Sequence, residues 1–93
     1  MAVLAVIAQR ETYGYEILST LEAAGLDGVG DASVYGTLRR LEQAGHVSSR
    51  LQASDSGPAR KYYSVTAVGR AQLRTGTAAW STINDALGKL VKP

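Results

Sequence analysis

The apolar residues of this chain keep a helical spacing up to Gly45 and abandon it at His46, and that change of period limits the fold more than any other feature. Three short helices are expected before the change. Ala2 to Gln9 is apolar almost all round, so most of its surface is read as buried. Thr12 is placed to cap a second helix whose Ile17, Leu18, Leu21 and Ala24 fall at helical spacing, with Gly25 as the left-handed residue that stops it. A loop from Gly25 to Gly30, which contains three glycines, leads to a third helix starting at Gly30 or Asp31. That helix puts Val34, Leu38 and Leu41 on one face at i, i+4 and i+7 and ends at Gly45. Ser33, Tyr35, Gly36, Thr37, Arg39 and Arg40 are left pointing outward.

From His46 onward, Val47, Arg50 and Leu51 flank serines in a predicted strand, and the aromatic and β-branched run Arg60 to Val65 supplies its partner. Gln52 to Ala59, rich in serine, glycine and proline, is read as the hairpin tip, with Pro58 where it need not donate to the ladder. Thr66 is the expected cap of a long last helix reaching about Val91, in which Gly69, Gly76 and Gly88 are weak points of roughly 1 kcal/mol each against alanine. The predicted order is helix, helix, helix, strand, strand, helix. Such a chain is mainly α with a small β-hairpin, the pattern of a winged helix-turn-helix (residues 1–65) followed by one long C-terminal helix (residues 66–93).

Charge is distributed unevenly along this framework. Residues 1–38 carry Arg10 against five acids, a net of −4, whereas residues 39–74 carry seven cations against Glu42 and Asp55, a net of +5. The positive field therefore sits on the third helix, the hairpin and the start of the last helix, as a footprint for phosphates requires. Arg60 and Lys61 stand beside the hairpin turn, in Ser56-Gly57-Pro58-Ala59-Arg60-Lys61-Tyr62-Tyr63. Ser33, Tyr35 and Thr37 have hydroxyls for phosphate, Gly36 allows close backbone approach, and Arg39 and Arg40 reach phosphate or a guanine edge. Tyr35 also reads as a half-buried packing residue, and the two arginines as a solvated face.

Other classes find little support. A domain of 93 residues buries only roughly 60 to 65% of its unfolded surface, which makes it a marginal monomer. There is no cysteine, hence no disulfide scaffold or thiolate metal site, in keeping with a reducing cytoplasm. The apolar start, Met1 to Ala8, is too short to span a bilayer and lacks a basic flank. His46 has no nucleophile or metal-ligand spacing around it and is read as structural, no glycine-rich phosphate loop follows a strand, and neither an enzyme nor a cofactor is implied.

The last helix carries Leu73, Gly76, Trp80, Ile83, Leu87 and Leu90 in alternating steps of three and four, a heptad-like seam. A helix extending past a small winged-helix body has nothing in its own chain to cover this stripe, so Leu73, Trp80, Ile83, Leu87 and Leu90 are expected at an interface with a second subunit. Folding back onto the body is the alternative. Trp80 reads either as dimer core or as the wall of a pocket for a flat apolar ligand.

These residues together resemble the PadR-like bacterial transcriptional regulators. The resemblance runs through Tyr13-Gly14-Tyr15-Glu16-Ile17, Val34-Tyr35, Arg39-Arg40-Leu41-Glu42, Gly45, Gly57-Pro58-Ala59-Arg60-Lys61-Tyr62-Tyr63, Thr66 and Gly69. It implies a homodimeric winged helix-turn-helix repressor on a palindromic operator in double-stranded DNA. Tyr15 and Tyr35 are then expected at the DNA backbone, the third helix in the major groove, and Arg60 and Lys61 on the wing. A single terminal helix looks like the compact branch of the family. In similar proteins a tryptophan on that helix meets planar aromatic compounds between the subunits, which raises interest in Trp80. The chain departs from the pattern in two ways. Its first helix begins nearer the start than is usual, as in a trimmed chain, and Gly36 follows the recognition-helix tyrosine where another residue is common. Two other classes stay open: a winged-helix module whose basic face meets an acidic protein, and a ligand carrier built on the dimer pocket.

Overall fold

Apolar residues one helical turn apart build the centre of the fold. In the computed structural model, which describes residues 1–26, 30–54 and 57–91, helix α1 (Ala2–Gln9) contributes Val3, Leu4 and Ile7. A two-residue strand β1 (Thr12–Tyr13) leads into helix α2 (Gly14–Ala23), which adds Ile17 and Leu21, and helix α3 (Asp31–Gln43) adds Val34 and Leu38. Val47 of strand β2 (Val47–Ser54) and Tyr63 of strand β3 (Gly57–Val65) close the cluster, after which helix α4 (Ala67–Leu90) leaves the body. All nine of these core residues are buried, and at about 1.5 to 3 kcal/mol per buried large apolar side chain they dominate the stability. Residues 27–29 of the glycine-rich loop, 55–56 at the hairpin apex and the terminal 92–93 lie outside the described residues.

The helix stops are the expected ones. Gly25 and Gly45 have φ of 93° and 78°, and in each case the N–H of the following residue returns to a carbonyl of the last helical turn, Leu26 to Leu21 and His46 to Leu41, both at 2.9 Å. This is the left-handed cap that only glycine adopts without strain.

Three expectations are corrected. Thr12 does not cap α2; it belongs to β1, which pairs antiparallel with β3 through Thr12 with Tyr63 and Tyr13 with Tyr62. The N-cap is Tyr13, with no side-chain hydrogen bond, while the buried Thr12 hydroxyl donates to Glu16 Oε1 at 2.6 Å. Two residues are too few for alternation to signal a strand. The sheet order is β1-β3-β2, so β3 is central where β1 flanks it.

The hairpin tip is narrower than Gln52 to Ala59. β2 and β3 run on to Ser54 and from Gly57, with an irregularity between Gln52 and Ser54, so Pro58 lies on a stretch of β3 with a partner on one side only, a setting proline tolerates.

Gly69 is not a weak point but a close approach: a Cβ there would run into the carbonyl oxygen of His46. The same junction is pinned by Thr66. Its hydroxyl accepts from Gly69 N–H at 3.0 Å and donates to the Gly45 carbonyl at 2.6 Å, and its N–H donates to the His46 carbonyl at 3.1 Å. The start of α4 is thereby tied to the end of α3. Beyond the half-buried Leu73 and Gly76, the latter lying against the Met1 side chain, the described residues of the helix are exposed, in a molecule measuring 58 × 28 × 19 Å. Trp80, Ile83, Leu87 and Leu90 are 64, 53, 48 and 79% exposed. None of the helices among the described residues is long and apolar enough to cross a membrane.

Candidate nucleic-acid interface

Burial of Val34 and Leu38 orients α3, and the opposite side of the helix follows from its period. Ser33, Tyr35, Arg39 and Arg40 are exposed, and Gly36 and Thr37 are half-buried. Arg40 donates to Thr37 Oγ1 at 3.2 Å. A Cβ at Gly36 would lie 3.8 Å from Arg40 Nη1 and 3.9 Å from Arg39 Nη2, so both guanidinium groups flank the bare backbone of Gly36.

Next to this face lies a cleft of about 510 Å³ lined by Tyr13, Gly14, Tyr15, Tyr35, Arg60, Lys61 and Tyr63. It exists because β1 stops at Tyr13, opposite Tyr62, and the chain turns into α2. The edge of β3 at Lys61 and Arg60 is left without a strand on that side. Tyr35 reaches in from α3 and packs on Gly14, where a Cβ would stand 2.5 Å from its Cε1. Tyr15 is 69% exposed at the rim. The cleft thus brings Tyr15 and Tyr35 of the two helices together with Arg60 and Lys61 of the hairpin.

The hairpin cations are held in different ways. Successive residues of a strand face opposite sides, so Arg60, Tyr62 and Ser64 share one face of β3, and Lys61, Tyr63 and Val65 the other. Arg60 lies over the Tyr13 ring, 4.7 Å from its centroid, and Tyr13 meets Tyr62 edge to face at 5.4 Å. Such cation–π stacking holds a guanidinium in place while leaving its charge uncancelled.

Lys61 instead donates to Glu42 Oε1 of α3 at 3.1 Å, and the Ser49 hydroxyl of β2 donates to Glu42 Oε2. A matching arrangement stands on the other face. Arg50 donates to both carboxylate oxygens of Glu11, at 2.9 and 2.5 Å, and Ser64 donates to Oε2 at 3.0 Å. Each carboxylate collects a serine and a cation from the two strands of the hairpin. Both are held below the ordinary carboxylate value, Glu11 by the hydrogen bonds from Arg50 and then Ser64, Glu42 by those from Ser49 and then Lys61. Arg50 and Lys61 are raised correspondingly, chiefly by their hydrogen bonds to Glu11 and Glu42.

The sequence alone presents Arg60 and Lys61 as one unit, includes Tyr13, Gly14 and Glu42 only as motif residues without a role at the site, and gives no sign of Glu11 or Ser49. The two-residue alternation of β3 carries the signal that separates the cations; the carboxylate partners of Arg50 and Lys61, 39 and 19 residues away in the chain, carry none. Among the described residues no three His, Asp or Glu side chains are grouped so as to hold a metal ion, and His46 contributes its backbone to the α3–α4 junction.

The fold and sequence match known proteins. The chain superposes on a PadR-like transcriptional regulator of Bacillus cereus with a TM-score of 0.87 and 33% identity, over 98% of this chain and 88% of that one. A PadR family transcriptional regulator of Eggerthella lenta gives 0.85 and 33%, over 97% and 80%. The PadR protein of Bacillus subtilis, solved in complex with operator DNA, shares the fold at a TM-score of 0.73 and 23% identity, over 82% of this chain and 43% of that one. An uncharacterized protein of Lysinibacillus sphaericus is 26% identical over 85 residues, 89% of this chain and 78% of that one. The model of the transcriptional regulator PadR-like family matches residues 3–75, from α1 into the first third of α4, and the chain belongs to that family.

Proposed function

We propose that this chain is a dimeric transcriptional repressor that binds a palindromic operator in double-stranded DNA through α3 and the β2–β3 wing, and that a planar aromatic ligand at the subunit interface releases it. Residues 1–65 form the DNA-binding domain and residues 66–93 the dimerisation helix, acting in the cytoplasm. The observation that carries this reading is the cleft in which Tyr15, Tyr35, Arg60 and Lys61 converge beside the outer face of α3. The fold shared with the operator-bound Bacillus subtilis protein favours it.

In this reading α3 enters the major groove. Tyr15, Ser33, Tyr35 and Thr37 donate to phosphates, Gly36 admits the backbone, and Arg39 and Arg40 meet phosphates or guanine edges. Arg60 and Lys61 follow the sugar-phosphate backbone. Leu73, Trp80, Ile83, Leu87 and Leu90 form the subunit seam, with Trp80 also against the ligand. The two recognition helices must stand about 34 Å apart to meet successive major grooves, so a ligand that changes the seam changes affinity.

Fluorescence anisotropy on labelled duplexes from upstream of the chain's own gene, at two salt concentrations, tests the DNA reading. Sequence-selective binding that strengthens at low salt and weakens in an Arg60→Ala, Lys61→Ala variant is the expected result. Binding no better than to random duplex, and indifferent to the variant, sinks it and favours a protein-interaction module.

A further inference from the structure

In the free protein Lys61 is already engaged. Its ammonium donates to Glu42 at 3.1 Å, and Glu42 is fixed from the other side by Ser49 and from below by α3, the helix it belongs to. Arg60, one residue away, stacks on Tyr13 and has no carboxylate partner among the described residues. The two wing cations therefore differ in availability, although they differ little in position.

We propose that Glu42 is a positioning residue that acts as an internal competitor for phosphate: it holds Lys61 in the free protein and sets how strongly, and with what salt dependence, the wing engages DNA. This rests on the reading that the wing meets DNA. When DNA approaches, Glu42 goes with Lys61 to the phosphates, so the pair brings no net charge to them. One fewer net counterion is therefore released at each wing than a free lysine releases. The slope of log K against log salt is about −0.9 per phosphate neutralised, so the intact Glu42 makes the slope shallower by about 0.9 for each wing, or about 1.8 for the two wings of a dimer. Ser49 fits the same role, since its hydroxyl keeps the carboxylate aimed at Lys61.

The test uses the full chain and one labelled duplex from upstream of its gene, titrated across a salt series. Glu42→Gln keeps an acceptor for the Ser49 hydroxyl while removing the charge. It is expected to bind more tightly than wild type, with a slope steeper by about 1.8 for the two wings of the dimer, so that its advantage grows about twelve-fold between about 200 and about 50 mM salt. In a Lys61→Gln background the Glu42→Gln change is expected to leave slope and affinity unaltered, because no cation remains to be released; a structural effect of Glu42 persists in that background. Unaltered slope in Glu42→Gln, or weaker binding, overturns the proposal while wild type still binds and Arg60→Gln still weakens it. Failure of wild type to bind any duplex overturns both this proposal and the DNA reading.

Discussion

The ring of Tyr35 occupies the space in which a Gly14 side chain would lie, 2.5 Å from an ideal Cβ. Gly14 opens α2 and Tyr35 sits in α3, so this contact joins the two helices at the floor of the cleft.

Gly14→Ala is expected to separate stability from binding. Alanine is favoured over glycine in a helix by roughly 1 kcal/mol, and overpacking costs typically 1 to 3 kcal/mol when the neighbour cannot move. Tyr35 is 46% exposed and can swing outward. The melting temperature should therefore stay within a few degrees of wild type while DNA affinity falls, measured by thermal melts and anisotropy on the same preparations.

Gly69 and Gly88 should respond to alanine with opposite signs. At Gly69 the Cβ meets the His46 carbonyl, part of the backbone that ties α3 to α4, whereas at Gly88 it meets nothing. Gly69→Ala should cost about 1 to 3 kcal/mol and Gly88→Ala should gain up to roughly 1 kcal/mol. At about 4 to 8 °C per kcal/mol for a domain of this size, thermal melts resolve both.

Acid should loosen the wing before it unfolds the core. Glu11 and Glu42 are both held below the ordinary carboxylate value of 4.5, so each folded-state pKa lies under the unfolded one. Their contribution is complete above that ordinary value and is lost as pH falls through the depressed values. Near neutral pH the wing should be indifferent to pH. Hydrogen exchange of β2 and β3 amides, followed downward from about pH 5 after correction for intrinsic rates, should accelerate before that of α1 and α3; uniform protection throughout would contradict the two carboxylate ties.

The exposed stripe on α4 gives a prediction for assembly. Trp80 is 64% exposed in the single chain, and a buried tryptophan at an interface centre commonly contributes 2 kcal/mol or more. Trp80→Ala should weaken self-association by about thirty-fold or more by sedimentation equilibrium, and weaken DNA binding in step. A wild-type chain that sediments as a monomer at all concentrations would remove the dimer from the proposed function.

Most of the fold follows from residues read one element at a time. The i, i+4 pairs Ile17 with Leu21 and Val34 with Leu38 define which helix faces are buried, Gly25 and Gly45 end their helices in left-handed caps, and Thr66 caps α4. These are local effects, set by backbone sterics and by the period of the apolar residues, and they need no knowledge of the rest of the chain. What tertiary structure alone decided are the relationships across long sequence separations. β1 exists because Thr12 and Tyr13 find Tyr63 and Tyr62. Gly69 is required because the His46 carbonyl passes beside it. Lys61 is paired with a carboxylate while Arg60 is stacked with its charge uncancelled, because Glu42 of α3 lies under one face of β3 and Tyr13 of β1 beside the other. The sequence by itself determined that two cations stand on the hairpin; only the packing of distant elements against the two faces of one strand decided which of them is already engaged.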